Sequence, residues 1–177
     1  MNRKLLVVVD MQNDFIDGVL GTPEARKIVE PVCRKMAEWN GDLFITKDTH
    51  EDNYLETAEG KMLPVPHCIR GTDGHRVNVQ VSAAYNRFDG FKVIFNKPTF
   101  GSVELAKHLS MSDYSNVTFV GLCTDICLLS NAIMARTALP EATIIVDAAC
   151  CAGVSPKSHQ RALDAMRVCN ITIINEK

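Results

Sequence analysis

Three residues with complementary chemistry follow three separate apolar segments of the chain. Asp10 comes directly after the first segment, Lys97 after the third, and Cys127 shortly after the fourth. A carboxylate can act as a base, a thiol as a nucleophile, and an ammonium group as a cation that favours ionised partners. Together these groups supply the parts needed for acyl transfer, although each one alone also has an ordinary structural explanation.

The nucleophile candidate lies in the sequence GLCTDIC, residues 121–127, at the step from a strand into an apolar segment. A thiol in the first turn of a helix is close to free backbone N–H groups and to the helix dipole, which favour the thiolate. The same N–H groups could stabilise an oxyanion. The alternative for Cys127 is a buried structural cysteine, which is common in reduced interiors. We adopt that structural interpretation for Cys33, Cys150, Cys151 and Cys169.

A second polar group lies in the long segment 48–80, which contains Asp48, His50 and His67. One Asp and two His are suitable ligands for zinc, iron or manganese, with coordination positions left for water or substrate. A polar segment of this length between two strands is uncommon and is often functional. The remaining histidines have no such companions, and we expect them to be loop or helix-surface residues without partners: His75, His108 and His159.

Short apolar runs alternate with helical periodicity along the whole chain, which predicts βαβ crossovers and a parallel sheet between two helical layers. The predicted strands are 5–9, 43–46, 92–95, 117–120, 144–146 and 171–174. Thr22, Ser102 and Ser155 are predicted helix N-caps. Segment 124–138 is apolar almost all round and predicts one buried helix. We therefore expect an α/β protein with a single domain over 1–177, whose ligands bind beyond the carboxyl ends of the strands.

The composition sets limits on the class of protein. The 177 residues are 46% hydrophobic, with 19 Lys+Arg against 21 Asp+Glu, which excludes a disordered chain and argues against nucleic acid or an anionic membrane as partner. The first apolar run, which ends at Asp10, is too short for a signal peptide or a membrane span. The cysteine count is seven, and an odd number in a mid-sized chain without a secretory signal favours reduced thiols and a cytoplasmic location. The absence of a C-x-x-C pair argues against a structural zinc knuckle.

The motifs in combination resemble the isochorismatase-like cysteine hydrolases over essentially the whole chain. The resemblance rests on VDMQNDF at 9–15, on Lys97, and on the pattern G-x-x-T-D-x-C at 121–127. Within that superfamily, D-x-H at 48–50 and P-x-P-H-C at 64–68 are similar to the metal site of nicotinamidases. The resemblance implies a three-layer αβα fold with a six-stranded parallel sheet in the order 3-2-1-4-5-6, and it implies a homo-oligomer, a dimer or higher.

The resemblance also implies roles for individual residues. Asp10, Lys97 and Cys127 would form a catalytic triad, and the backbone N–H groups of Cys123 and Cys127 an oxyanion hole. A cis peptide is expected between Leu122 and Cys123. Asp48, His50 and His67 would hold a divalent metal, most simply zinc, with iron or manganese as alternatives and Glu59 as a further candidate ligand. The expected substrate contacts are Phe15, Phe100 and Leu63.

The activity implied is hydrolysis of a small carboxamide, nicotinamide to nicotinate and ammonia, through a thioester. A hydrolase of the same family acting on another small amide, ureide or vinyl ether is the nearest alternative. A non-catalytic binding module on the same fold is an alternative from another class, which has no need of all three triad residues. A thiol-redox role for Cys123 and Cys127 is a fourth alternative, but their spacing is not C-x-x-C.

Overall fold

All six predicted strands form one parallel sheet in the computed structural model, which describes residues 3–176. They are β1 (Arg3–Val9), β2 (Asp42–Asp48), β3 (Lys92–Lys97), β4 (Tyr114–Leu122), β5 (Thr143–Ala152) and β6 (Thr172–Ile174). Their order is β3-β2-β1-β4-β5-β6, and every neighbouring pair is parallel. The predicted fold class is therefore confirmed. Met1, Asn2 and Lys177, which the expected domain includes, lie outside the described residues.

Helices cover both faces of this sheet. They are α1 (Asn13–Ile16), α2 (Pro23–Ala37), α3 (Ala58–Met62), α4 (Val79–Arg87), α5 (Val103–Ser110), α6 (Leu129–Ala138) and α7 (Pro156–Val168). Leu6 and Val8 of β1 pack with the side chains of α1, α2 and α4, whereas Leu5 and Val7 pack with those of α5, α6 and α7. Alternate residues of the central strand thus enter two cores, as expected for a sheet covered on both faces.

Helix N-caps set where the crossover helices begin. The side chains of Thr22, Ser102 and Ser155 accept hydrogen bonds from Ala25, Leu105 and Ser158 backbone N–H groups, respectively. Each cap satisfies a donor that the first helical turn leaves free. The three predicted caps are confirmed.

The register of the sheet brings polar residues to one edge. Asp48 and Lys97 are the last residues of β2 and β3 and pair directly with each other. Val9, the last residue of β1, pairs with Thr46 on one side and Gly121 on the other. Asp10 therefore leaves β1 in the middle of this carboxyl edge.

Two local expectations were wrong. Segment 124–138 is not one regular helix, because Thr124–Leu128 forms a π-helical turn that runs directly into α6. No cis peptide occurs among residues 3–176, so the one expected between Leu122 and Cys123 is absent there. A π-helical turn widens the helix by one residue per turn and is frequent at functional sites.

The cysteine environments differ from one another. Cys150 and Cys151 are buried, as predicted, but Cys33 is half-buried and Cys169 is exposed. Cys169 follows the last residue of α7 at the surface, where no core is available to cover it. Among the described helices, none combines the length and the apolar character that a membrane crossing requires.

Candidate active site

The Lys97 ammonium group lies at the centre of the carboxyl edge of the sheet. Its Nζ is 2.6 Å from Asp10 Oδ2, 3.1 Å from Asp48 Oδ1 and 3.5 Å from Cys127 Sγ. It also donates to the Thr99 carbonyl at 3.1 Å. Since β3 is two strand spacings, about 9.6 Å, from β1, the lysine side chain reaches these partners by leaning over the end of β2. The structure thus brings Asp10, Lys97 and Cys127 together.

Asp10 is held in a strained and fully buried position. Its backbone has φ of 47°, and its amide donates to the Thr46 carbonyl. The Thr46 hydroxyl donates to Oδ1 at 2.7 Å, whereas Oδ2 has only the Lys97 ammonium beside it. Burial raises the pKa of the Asp10 carboxyl despite the opposing effect of Lys97. A carboxylate of raised pKa, whose Oδ2 is held only by the ion pair with Lys97, is well suited to accept a proton.

The Cys127 thiol is buried in the π-helical turn beside this ion pair. Burial, followed by the charge of Asp10, raises the pKa of Cys127 well above its ordinary value, and Lys97 only partly opposes them. Lys97 acts in the expected direction, since its charge lowers this pKa. Desolvation of the charged sulfur outweighs the charge of Lys97, so the thiol keeps its proton until a base removes it.

Four side chains next to the triad converge on one point. Asp48, His50, Glu59 and His67 each offer a ligand atom, and these atoms all lie within 4.8 Å of one another. His50 Nε2 is 2.9 Å from Asp48 Oδ2 and 3.6 Å from Glu59 Oε1. His67 Nε2 lies 3.4 Å and 3.8 Å from the same two oxygens.

This donor set fits a divalent metal. Four ligand atoms placed around a zinc ion in a tetrahedron, each at the usual zinc–nitrogen distance, are about 3.3 Å from one another. The four distances given above span this value. His67 donates its Nδ1 hydrogen to the Val65 carbonyl at 2.8 Å, which leaves Nε2 free as a ligand atom. That arrangement is usual for metal-binding histidines. Imidazoles suit zinc and iron, and carboxylates are also ligands of manganese.

The long segment after β2 folds back on itself to assemble these donors. His50 forms a short bridge with Ile69: its amide donates to the Cys68 carbonyl, and its own carbonyl accepts from Arg70. The bridge brings His67 back beside the end of β2. The Tyr54 ring then packs 4.7 Å from the His50 ring and 5.0 Å from the His67 ring.

Asp48 connects the donor group to the triad, because its Oδ2 faces the two histidines and its Oδ1 accepts from Lys97. Burial would raise the pKa of Asp48, but hydrogen bonds from His50 and His67 and the charge of Lys97 outweigh it and hold that pKa below its usual range. Asp48 is therefore a carboxylate shared by two sites.

Sequence reasoning missed Gln12, which holds the backbone of Asp48. The fully buried Gln12 amide donates to the Asp48 carbonyl at 2.8 Å and accepts from the Asp48 amide at 2.7 Å. It also donates to the His75 carbonyl. Asp14 similarly accepts from the Cys68 amide, next to His67. Both residues lie within the recognised motif at 9–15, which was the available signal, but their partners are distant in sequence.

The three remaining histidines were wrongly predicted to lack partners. His75 is buried and its ring is 3.0 Å from the Thr49 hydroxyl. The His159 ring is 2.8 Å from the Thr124 hydroxyl, at the start of the π-helical turn. His108 packs edge-on against the ring of Phe44. Each partner comes from a distant segment, so periodicity could not reveal it.

A cavity of about 310 Å³ opens in front of Cys127. Phe15, Leu63 and Phe100, the expected substrate contacts, all line it, as do Asp48, Glu59 and His67 of the converging group. The Phe15 ring lies 5.5 Å from the His67 ring. Further lining residues that the sequence did not indicate are Leu20, Thr22, Ala25, Ile126 and Val154. This volume is at the small end of the range for ligand pockets, so the cavity suits a small molecule.

The geometry can be compared with known proteins. The Isochorismatase domain family model matches residues 4–176. The chain belongs to the isochorismatase family. The nicotinamidase/pyrazinamidase of Mycobacterium tuberculosis is 26% identical to this family member, covering 97% of this chain and 98% of its own length. The resemblance drawn from the motifs, including its nicotinamidase branch, is thereby confirmed.

Solved structures of the isochorismatase fold agree with this assignment. The pyrazinamidase/nicotinamidase of Streptococcus mutans superposes with a TM-score of 0.84 at 27% identity, covering 97% of this chain and 99% of the other. The pyrazinamidase of Pyrococcus horikoshii in complex with zinc gives a TM-score of 0.76 at 26% identity, covering 98% and 99%.

Proposed function

We propose that this isochorismatase-family protein is a nicotinamidase-like amidase, which hydrolyses nicotinamide to nicotinate and ammonia. The observation that carries the proposal is the contact of Lys97 with both Asp10 and Cys127 at the wall of a small cavity. The relatives named nicotinamidase or pyrazinamidase support the choice of substrate. Asp10, Lys97 and Cys127 are the proposed catalytic residues.

The first half of the reaction forms a thioester. Asp10 removes the proton of the Cys127 thiol, and the sulfur attacks the carboxamide carbon of the substrate. The negative oxygen of the tetrahedral intermediate accepts hydrogen bonds from the backbone N–H groups of Cys123 and Cys127. Asp10 then gives its proton to the departing nitrogen, so the carbon–nitrogen bond breaks and ammonia leaves.

The second half reverses these roles. Asp10 takes a proton from a water molecule, whose oxygen attacks the thioester carbon. Collapse of the second tetrahedral intermediate breaks the carbon–sulfur bond, and the Cys127 sulfur recovers the proton as the carboxylic acid is released. Lys97 stays charged throughout, because Asp10, Cys127 and Asp48 raise its pKa above the ordinary value despite burial. Its role is to hold Asp10 and to favour the ionised sulfur.

We propose that Asp48, His50 and His67 hold a divalent metal, zinc in the first instance, with Glu59 as the fourth protein ligand. The zinc complex of the Pyrococcus horikoshii relative supports zinc over iron or manganese. When bound, the metal supplies a Lewis-acidic position for a ring nitrogen. Phe15, Phe100 and Leu63 would enclose the flat ring against the thiol.

We further propose that the chain acts as a single domain over 1–177, in the cytoplasm, as a homo-oligomer of two or more copies. Sedimentation of the purified protein should then give a mass of at least twice the 19.6 kDa of one chain. A measured mass of one chain, at the protein concentration used for activity measurements, would contradict the proposed homo-oligomer.

Ammonia release from a panel of small amides tests the activity, with bound metal measured on the same samples. We expect nicotinamide to be turned over, Cys127→Ala to be inactive, and Cys169→Ala, which changes an exposed thiol, to match the wild type. Turnover of only a different amide or ureide would favour another activity of the family. No turnover, together with no selective reaction of Cys127 with an electrophile, would favour a binding module.

A further inference from the structure

Asn131 is a buried polar residue that the reaction chemistry does not use. Its side chain lies in α6, one turn after Cys127, and the residue is 2% exposed. The amide donates to the Phe100 carbonyl at 3.1 Å and to the Cys127 carbonyl at 2.8 Å, and its oxygen accepts from the Ser102 amide at 2.9 Å. Both donors are used, which fixes the orientation of the group.

These partners belong to two separate parts of the candidate site. Cys127 lies in the π-helical turn, whereas Phe100 and Ser102 belong to the loop that follows β3. The Phe100 side chain lines the cavity. The same loop is held from its other end by Lys97, which donates to the Thr99 carbonyl. Asn131 is thus a direct link between the nucleophile and one wall of the cavity.

The loop also packs tightly against α6, independently of these hydrogen bonds. A Cβ added at Gly101 would lie 2.4 Å from Met134 Sδ and 3.5 Å from Ser130 Cβ. The absence of a side chain at Gly101 therefore leaves the space that the Met134 sulfur occupies. The Ser102 side chain caps α5, so a shift of the loop would also disturb the start of that helix.

We propose that Asn131 is a positioning residue that fixes the Phe100 wall relative to the Cys127 sulfur, and so sets how a flat amide substrate lies against the nucleophile. The proposal rests on the proposed amidase function. Its physical basis is that the Phe100 side chain lines the cavity, so a displaced wall weakens substrate binding and misorients the amide, which lowers kcat/KM although Asn131 takes no part in bond making.

A double-mutant cycle on KM tests this role. Asn131→Leu keeps the approximate size but removes all three hydrogen bonds, and it should lower kcat/KM about 10- to 100-fold, mainly through KM. Asn131→Asp keeps the acceptor for Ser102 but turns a carboxylate oxygen towards the Phe100 and Cys127 carbonyls, which are acceptors too, so it should lose at least as much kcat/KM as Asn131→Leu. In a Phe100→Ala background, Asn131→Leu should add little to KM, because the wall it positions is already gone.

The control is Thr137→Val, which removes an exposed hydroxyl that donates within the same helix. It should leave kcat and KM unchanged. A lower melting temperature of Asn131→Leu with an unchanged KM of the folded fraction would overturn the proposal, as would KM effects of Asn131→Leu and Phe100→Ala that simply add. If the wild type prefers another amide, the cycle is run with that amide.

A second readout does not depend on turnover. Alkylation of Cys127 by iodoacetamide is compared with alkylation by its bulkier N-benzyl analogue, using peptide mass spectrometry. We expect the rate ratio to shift severalfold in favour of the bulky reagent in Asn131→Leu and to be unchanged in Thr137→Val. An unchanged ratio in Asn131→Leu would overturn the positioning role, whereas absent turnover in the wild type would overturn only the amidase function.

Discussion

Asp10 illustrates how residues of the site obtain their properties from their neighbours. The carboxylate is buried, Thr46 occupies one of its oxygens, and Lys97 stands beside the other. Burial raises its pKa, which makes it a stronger base than an exposed aspartate. The same burial raises the pKa of the Cys127 thiol. Proton transfer between them therefore exchanges one buried ionised group for another.

Replacement of Asp10 tests its role as the base. Asp10→Asn removes the proton acceptor while keeping the size, so kcat/KM for the amide should fall about 10²- to 10⁴-fold. Steady-state ammonia release provides the measurement, and thermal unfolding checks that the variant is folded. Asp89→Asn, at an exposed position, should behave as the wild type. If Asp10→Asn keeps near-normal turnover, Asp10 is not the base.

The pH dependence of thiol alkylation tests the state of Cys127. A raised pKa means that the thiolate fraction still increases above about pH 8.5, where an ordinary cysteine is already half ionised. The alkylation rate of Cys127 should therefore keep rising through pH 9, measured by peptide mass spectrometry. A rate that reaches its plateau below pH 8 would show a depressed pKa and contradict the proposed resting state.

The elements act mainly by bringing strand ends together at a defined spacing. Gly121 shows the constraint most clearly: its φ is +113°, and a Cβ there would lie 2.2 Å from the Val9 carbonyl oxygen. This close approach sets β4 against β1, three residues before the π-helical turn begins at Thr124. Only glycine satisfies both the backbone angle and the distance.

Two glycine substitutions separate the effect of the positive φ angle from the effect of the close approach between strands. Gly71 also has a positive φ, of +86°, but a Cβ there meets nothing within 4 Å. Gly71→Ala should lower the free energy of unfolding by about 1–2 kcal/mol through backbone strain alone. Gly121→Ala adds overpacking to the backbone strain, so it should lower the free energy of unfolding by at least about 3 kcal/mol and abolish activity. Chemical denaturation measures both, and equal losses would contradict the packing argument.

The sequence predicted regular elements better than irregular ones. Continuous apolar runs revealed the strands, although β4 and β5 extend well beyond the predicted ranges. Helix α4 was not predicted, although Val81, Ala84 and Phe88 form a short apolar stripe that packs into the core. The π-helical turn carries no distinctive periodicity, so it could be found only from the structure.

At the scale of the whole molecule, the strand order came from the family resemblance, because periodicity alone does not determine which strands pair. The residues of the candidate site were likewise named from motifs. Gln12 and Asn131 were missed as positioning residues because their function lies in contacts with backbone groups of distant segments. Such contacts leave no pattern in a single sequence.

Metal binding should stabilise the entire fold, since the donors come from the end of β2 and from the segment that folds back onto it. At a free metal concentration 100 times the dissociation constant, linkage adds about 2.7 kcal/mol, or a melting temperature about 5–10 °C higher. Calorimetry with zinc and with chelator provides the measurement. His67→Ala should lose the shift, whereas Glu56→Ala, at an exposed position, should retain it. An equal melting temperature with zinc and with chelator would contradict the metal site.

The most direct measurement is a search for the covalent intermediate itself. Protein mixed with nicotinamide and acid-quenched within one turnover is digested and analysed by mass spectrometry. We predict a nicotinoyl group on the peptide that contains Cys127, formed at least as fast as ammonia is released in the steady state. Ammonia release with no acyl group on that sulfur, or with the group on another residue, would contradict the account.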